Sequence, residues 1–575
     1  MQQIDFTWKI GGEAGYGIMT AGLVFAKVFS RIGYNIFTTN DFPSLIRGGH
    51  NTFTVRISTQ PVQAYTSKVN LLIAFNKETI ILHKNELAEN GAVVYDEKIQ
   101  LELPEKNNKN FFAVPILDTA QKAGEAKVMM NLVAVGASLA LLGNNFTVLS
   151  ELIGDIFKKK GEKIIKSNIE AAKAGYDYIK QKYRPMYNFP KLAEIDNMLI
   201  NGNEALSLGA IKAGCKFVSM YPMTPSSPIL QFMAEHQNEH HILVKQTEDE
   251  ISAINMAIGA SFAGVRAMTA TSGGGFSLMV EALGLAGMTE TPIVIVNGQR
   301  PGPATGLPTK TEQGDLRFVT HAAQGEFPRI ILAPGDVEEC FYETIRAFNL
   351  AEKYQCPVII LTDKYLADNM KTTKKFDYGL KIERYSMTNV LKKLNTQEFF
   401  KRYYFTETGI SPRVLPGQAD GMHLSAGDEH NETGFLIDDS DARMKMMDKR
   451  FKKLEELKNE LPQPKLHGPT DAQTTIISWG STKGQVLEAM EMLRKDKITV
   501  NFLHFMYIHP FPSEKAKEVL DKAKTKIIVE QNKTAQLAGI IREHTGIAIE
   551  HKILKYDGMP FVSNELYKKI KMLIK

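Results

Sequence analysis

Cysteine is scarce: 575 residues hold three, Cys215, Cys340 and Cys356, far apart and without a CxxC pair. An iron–sulfur cluster or zinc site within the chain, which normally takes about four ligands, is therefore not expected. Nor is a disulfide framework, and that fits a reducing cytosol. Charge of one sign is scarce too, since 69 basic against 64 acidic residues leave a formal +5. The excess is spread along the chain apart from short runs such as Lys158–Lys160, which read as solvated helix ends, so nucleic-acid binding has little support. The opening residues MQQID lack a basic region and an apolar run, so no signal peptide is expected. The longest apolar stretch, 128–142, is interrupted by Asn131 and Ser138 and falls short of the ~20 residues of a membrane span. A cytoplasmic location without membrane or nucleic-acid partners is the expectation.

What is present is ordinary for a globular protein, with 43% hydrophobic and 23% charged residues. The length suggests three or four domains of about 100–200 residues. The informative stretch is 221–300, which runs from YPMTPSS at 221–227 through EDE at 248–250 and TSGGG at 271–275 to GQRPG at 298–302. Each cluster follows a short apolar run, at 216–220, 242–246, 267–270 and 293–297, where a parallel strand hands over to a helix. Four such handovers lie on one edge of a sheet. At that carboxyl edge helix N-termini and loop N–H groups converge on ligands.

Taken in order, residues 5–11 read as a strand entering Gly11-Gly12-Glu13-Ala14-Gly15-Tyr16-Gly17, after which apolar residues recur at helical spacing. Such a turn lets backbone approach a phosphate, although a tight turn that binds nothing looks the same. In DFPSLIRGGH at 41–50, Arg47 could grip an anion or pair with a carboxylate. Strand-like runs at 71–75, 92–95 and 111–117 complete a small α/β domain. The prolines of 183–190 mark a linker. Asn203 is a plausible N-cap for a helix ending at Gly214. Strands at 329–333 and 358–362 and a helix at 337–352 continue a doubly wound parallel sheet. From about 370 to 470 the pattern breaks down. The polar, turn-rich stretch 417–434 and the charged helix 441–461 read either as a surface excursion or as a region facing a partner. Strands at 474–479, 500–504 and 526–530, with helices between and after them, form a last α/β unit.

Tyr221–Ser227, Glu250 within QTEDEISAIN, ATSGGG at 270–275 and Arg300 together resemble the α subunits of the 2-oxoacid:ferredoxin oxidoreductases. The resemblance is to the 2-oxoglutarate type, whose γ subunit is fused N-terminally to α. It implies three α/β domains: a γ-type domain over 1–185, a pyrimidine-binding thiamine diphosphate domain over 191–370 and, after an excursion at 371–469, a transketolase C-terminal-like domain over 470–575. His509-Pro-Phe-Pro512 and Glu530-Gln-Asn532 match the family in that last domain, in packing roles.

The implied reaction is oxidative decarboxylation of a 2-oxoacid with coenzyme A and ferredoxin, or its reverse. Loss of carbon dioxide needs an electron sink at the carbonyl carbon, which thiamine diphosphate supplies. In thiamine enzymes a glutamate hydrogen-bonds N1′ of the aminopyrimidine, and Glu250 is the candidate, with Glu248 and Asp249 as rivals. A carboxylate in the first turn of a helix is also ordinary dipole complementation. Thr224 and Arg300 suit the substrate, since an arginine fork binds a carboxylate twice and a threonine hydroxyl can donate to a carbonyl oxygen. Tyr221, Pro222, Thr271, Ser272, Gly273 and Gly274 would line the cofactor pocket. In the γ-type domain Gly12, Gly15 and Arg47 are the candidates for coenzyme A. The family's Gly-Asp-Gly for diphosphate and Mg²⁺ is missing, as are cluster cysteines. The resemblance therefore implies a β subunit carrying the diphosphate and Mg²⁺ site and a [4Fe–4S] cluster, in an (αβ)₂ assembly. Two other readings stay open at this point: a nucleotide-dependent dehydrogenase using 11–17 as a Rossmann fingerprint, with Asp41 as the nearest ribose acid, and a non-catalytic scaffold.

Overall fold

The computed structural model describes residues 3–45, 48–101, 110–123, 126–193, 196–385 and 399–574. Tertiary contacts divide the chain into two units, 1–200 with 368–375, and 201–367 with 376–575. The α/β expectation holds in all three sheets that they contain.

The first unit is built on eight strands. Phe111–Val114, Leu87–Asp96, Val69–Ala74 and Asp5–Glu13 run parallel, and His50–Ser58, Asn35–Asp41, Lys371–Lys374 and Asn197–Ile200 extend the sheet by antiparallel pairing. Trp8 anchors its core, stacked 4.2 Å from Phe25 and donating its indole N–H to Ser138 at 3.0 Å. The strand expected over 111–117 ends at Val114. Pro115 brings no N–H to a ladder, and the chain turns into the helix Ile116–Ala123. The glycine turn is real, with Gly15 and Gly17 at φ +95° and +70° before the helix Ile18–Arg31. Its setting differs from a dinucleotide fold, where the second strand adjoins the first. Here the antiparallel strand His50–Ser58 lies between Asp5–Glu13 and Asn35–Asp41, which leaves Asp41 a strand away from the place of a ribose acid.

The helices Ala126–Leu141 and Glu162–Lys182 cross at two glycines. A Cβ on Gly136 would lie 1.9 Å from the Ala172 carbonyl oxygen, and one on Gly175 would lie 2.1 Å from that of Val133. Both obstacles are backbone, so Gly136→Ala is expected to destabilise the chain by about 3 kcal/mol. Gly154→Ala, whose Cβ would meet nothing within 4 Å, should change stability by less than about 1 kcal/mol. Urea denaturation of the two variants checks the contrast.

In the second unit seven strands lie in the order Tyr507–His509, Ile330–Leu332, Pro357–Asp363, Ile293–Gln299, Ala267–Thr271, Phe217–Met220 and Leu243–Gln246. All are parallel except the first. From Phe217–Met220 the chain moves to one edge and then crosses to Ala267–Thr271 on the other side. The topological switch point therefore lies between these two strands, the place where open sheets of this kind leave a crevice. A five-stranded sheet follows, ordered Lys465–His467, Asn501–Phe505, Thr474–Trp479, Thr525–Glu530 and His551–Leu554. Glu530 is buried there in a packing role. It accepts from the backbone N–H groups of Leu537 and Ala538, from the Asn532 amide and from the Trp479 indole at 2.8–3.2 Å.

Two expectations are corrected. Asn201, not Asn203, caps the helix Gly202–Lys212, through a reciprocal box with Glu204. The helix Ser440–Glu460 is no solvated excursion: Lys449 and Lys453 are buried against Glu290, and Arg450 against Glu429. Burial alone would raise the Glu290 pKa, but the charges of Lys449, Lys453 and Arg402 outweigh it and hold the carboxylate ionised.

Candidate active site

The site grows from four strand ends. After Phe217–Met220, the turn 221–226 is pinned at three points before the helix Ser227–His240. The Asn203 amide donates to the Pro225 carbonyl at 2.9 Å, the Ser226 hydroxyl to the Thr271 carbonyl at 2.7 Å, and Arg300 Nη1 to the Thr224 carbonyl at 2.8 Å. Gly298 makes room for this, since a Cβ there would sit 2.5 Å from Ser226 Oγ.

Glu250 opens the helix Glu250–Phe262, which Asp249 caps by accepting from the Ser252 N–H at 2.8 Å. The Glu250 side chain is turned inward and only 3% exposed. Its Oε1 lies 3.4 Å from the Thr271 hydroxyl, a long bond that leaves most of its accepting capacity unused. Burial pushes its pKa up, against the pull of its own backbone N–H, the Thr271 hydroxyl and the Arg300 charge. Glu248 and Asp249 are excluded as rivals by position: Glu248 is exposed and bonded to Ser252, and Asp249 is occupied as the cap. Burial also lowers the Arg300 pKa, with Asp315 and Glu250 opposing.

The helix Gly273–Met288 closes the other side. A Cβ on Gly275 would lie 2.1 Å from Thr271 Oγ1 and 2.3 Å from Glu250 Oε1. A Cβ on Gly273 would lie 2.4 Å from Asp315 Oδ2. Asp315 in turn accepts from Asn297 Nδ2 at 3.1 Å and donates its backbone N–H to Gln299 at 3.0 Å, and burial raises its pKa. Asp315, Asn297 and Ser226 were not foreseen from sequence. Polar residues in loops carry no local mark of a shared pocket. Gly275 stood in the glycine string, but its closeness to Glu250 is a tertiary fact.

Of the residues singled out by sequence, Thr224, Glu250, Thr271, Ser272, Gly273 and Arg300 meet around this crevice. Tyr221, Pro222 and Gly274 are exposed beside it. Gly12 and Gly15 belong to the first unit. Gly12 is wedged against Phe75, 3.0 Å from a would-be Cβ, whereas Gly15 faces open space. Arg47 lies outside the described residues.

The residues present fit the aminopyrimidine half of thiamine diphosphate. Among the described residues Ser272 Oγ and Asn297 Oδ1 are buried without a hydrogen-bond partner, and the Glu250 carboxylate is held by its own backbone N–H and the long bond from Thr271. Buried polar atoms left this way normally belong to a bound group or water. Among the described residues no group of three or more His, Cys, Asp or Glu could hold a metal ion, and none of the described helices is long and apolar enough to cross a membrane.

Comparison with known proteins gives a consistent result. The family model described as pyruvate flavodoxin/ferredoxin oxidoreductase, thiamine diphosphate-binding, matches residues 208–449. The pyruvate ferredoxin/flavodoxin oxidoreductase model matches 7–178, and the core domain II model of pyruvate:ferredoxin oxidoreductase matches 472–563. The α subunit of 2-oxoacid:ferredoxin oxidoreductase from Saccharolobus solfataricus is 36% identical, over 99% of this chain and 98% of its own length. The 2-oxoglutarate oxidoreductase subunit KorA of Mycobacterium tuberculosis is 28% identical, over 97% and 90%. A solved 2-oxoglutarate:ferredoxin oxidoreductase from Magnetococcus marinus, with 2-oxoglutarate, coenzyme A and succinyl-CoA bound, superposes with a TM-score of 0.91 at 34% identity, covering 99% of this chain and all of that one.

Proposed function

This chain belongs to the 2-oxoacid:ferredoxin oxidoreductases, as an α subunit, and from that premise we propose that its 2-oxoacid is 2-oxoglutarate. The reaction joins the acyl group left by decarboxylation to the thiol of coenzyme A and passes the released electron pair to oxidised ferredoxin, or runs in reverse. The observation that carries the reading is Glu250, a buried carboxylate at a topological switch point, facing Thr271 and flanked by Arg300. A chain of this family is an enzyme subunit, so neither the dehydrogenase nor the scaffold reading is retained.

Thiamine diphosphate, when bound, supplies the electron sink that decarboxylation needs. Glu250 would hold its aminopyrimidine ring through N1′, and the burial that raises the carboxyl pKa keeps that hydrogen bond in a low dielectric, where it is strong. Thr271, Ser272, Gly273 and Gly274 would form the wall, with Tyr221 and Pro222 at the rim. Arg300 spends one N–H on the Thr224 carbonyl, which keeps the turn and the guanidinium in register. Its remaining N–H groups would take the carboxylate next to the keto group, and the Thr224 hydroxyl would donate to the keto oxygen. In the first unit Gly12, Gly15 and Arg47 are the proposed contacts of coenzyme A.

The partner proposed is a β subunit that brings the diphosphate and Mg²⁺ site and a [4Fe–4S] cluster, in an (αβ)₂ assembly that meets ferredoxin in the cytoplasm. We keep the proposed domains at 1–185, 191–370, 371–469 and 470–575. Co-expression with the β subunit, followed by a viologen-dye assay of pyruvate, 2-oxoglutarate and branched 2-oxoacids, tests the substrate. A preference for pyruvate or a branched acid would defeat the 2-oxoglutarate proposal. Arg300→Lys keeps the charge but loses the fork. It should raise KM for the 2-oxoacid about tenfold or more with a smaller change in kcat, as steady-state kinetics will show.

A further inference from the structure

The opposite edge of the seven-stranded sheet holds a second concentration of cationic and titratable groups. Arg329 stands at the amino end of Ile330–Leu332, whereas Thr224, Glu250, Thr271 and Arg300 all follow carboxyl ends of strands parallel to it. The Arg329 side chain is buried, with 5% of the residue exposed. Its Nη1 donates to the carbonyls of Val319 and Ala322, and its guanidinium lies 4.2 Å from the Phe327 ring centre. Among the described residues no carboxylate pairs with it, and burial lowers its pKa to about 10. A buried cation without a counter-charge is costly unless something anionic completes it.

Arg329 opens on a cavity of about 270 Å³ that also receives His321, His509 and His544. These come from three different places: the end of the helix Leu316–Thr320, the edge strand Tyr507–His509 and the helix Gln536–Thr545. The His544 ring stacks 5.0 Å from Phe511, and His321 Nδ1 sits 3.0 Å from the Arg317 carbonyl oxygen. Phe327, Phe451, Ile508 and Ile540 supply apolar wall. The acids nearby are Glu326, which is exposed, and Glu543, which lies 3.9 Å from Arg317. Lys458, on the helix Ser440–Glu460, adds its positive charge from a further side.

We propose that this cavity is a binding site for a small organic anion, a carboxylate or phosphate ester with an apolar body, distinct from the catalytic crevice. The guanidinium and imidazole groups meet the anion and the aromatic and aliphatic wall meets the rest, the usual division of labour in a ligand pocket. Titration supports the geometry. Burial, with the charges of Arg329, His544 and His321, lowers the His509 pKa to about 4, and burial lowers that of His544. The His509 imidazole therefore stays neutral at physiological pH. An anion bound beside it opposes that shift and favours the protonated ring, so binding tightens as pH falls from about 8 to about 6.

Calorimetric titration of the full chain with phenyl phosphate, benzoate and inorganic phosphate, at both pH values and in two buffers of different ionisation enthalpy, tests this. Phenyl phosphate or benzoate should bind in the submillimolar range with proton uptake, and the stronger of the two tells a phosphate ester from a carboxylate. Inorganic phosphate, without an apolar body, should bind more weakly. Arg329→Gln should abolish binding. The pair His321→Asn with His544→Gln, which leaves Arg329 in place should the first variant fail to fold, should weaken binding about tenfold. Glu250→Gln should bind as the wild type does, which separates this site from the catalytic one. Absence of binding by all three probes below about 10 mM, or affinity unchanged in both cavity variants, overturns the proposal.

Discussion

Glu250→Gln, assembled with its β subunit, should lose roughly 10²–10⁴ in kcat while still assembling and still binding the 2-oxoacid. Glutamine keeps the size and one hydrogen-bonding oxygen but cannot supply the negative charge that strengthens the bond to the aminopyrimidine. The same substitution should make the ligand-free chain more stable. In the folded chain burial holds the Glu250 pKa above its unfolded value. The folded state therefore binds more protons across that window, and the contribution to stability, present at low pH, is lost as pH rises through the folded pKa. Glutamine does not ionise, so at neutral pH and above the variant should melt higher than the wild type. Turnover near wild type would remove Glu250 from cofactor activation, and a lower melting temperature would show that its carboxylate is satisfied by bonds beyond those from Thr271 and its own backbone N–H.

The second large effect belongs to Gly275→Ala. The added methyl would stand 2.3 Å from Glu250 Oε1 and 2.1 Å from Thr271 Oγ1, so either the helix Gly273–Met288 backs away or the carboxylate swings aside. Overpacking of this kind costs about 1–3 kcal/mol, and a shift of about 1 Å in a positioning group can cost roughly a hundredfold in rate. The expected result is a folded subunit with kcat/KM down by about two orders of magnitude. Gly284→Ala, on the same helix, is the control, since the nearest atom to its Cβ would be the Ala323 Cβ at 3.8 Å. Equal activity in the two variants would mean that the Gly275 contact does not position Glu250.

Several features of the site were legible before any coordinates. The four handovers of strand to helix were visible because a short apolar run, then turn residues, then a helical period occupy contiguous positions. Thr224, Glu250, Thr271 and Arg300 each sit just past such a run and could be placed on one sheet edge. The strands Asn35–Asp41 and His50–Ser58 were harder to see. His50–Ser58 pairs with both Asn35–Asp41 and Asp5–Glu13, and the second pairing joins residues far apart in the chain, as in Asp5 opposite Ser58 and Glu13 opposite His50. The charged helix expected over 441–461 is found as Ser440–Glu460, but its packing was not legible, because Lys449, Arg450 and Lys453 look solvated until Glu290 and Glu429 are found beside them.

By itself the sequence determined the α/β class, the parallel run of the central domain and the family, since periodicity, turn chemistry and motifs are written in neighbouring residues. Tertiary structure alone decided which loops meet. It set Asp315 against Gly273, brought Gly275 up to the Glu250 carboxylate, and gathered Arg329 with three histidines from distant segments around one cavity. Such contacts depend on how strands are ordered in the sheet and which helix crosses which, and a residue carries no local trace of a partner that folding delivers from far along the chain.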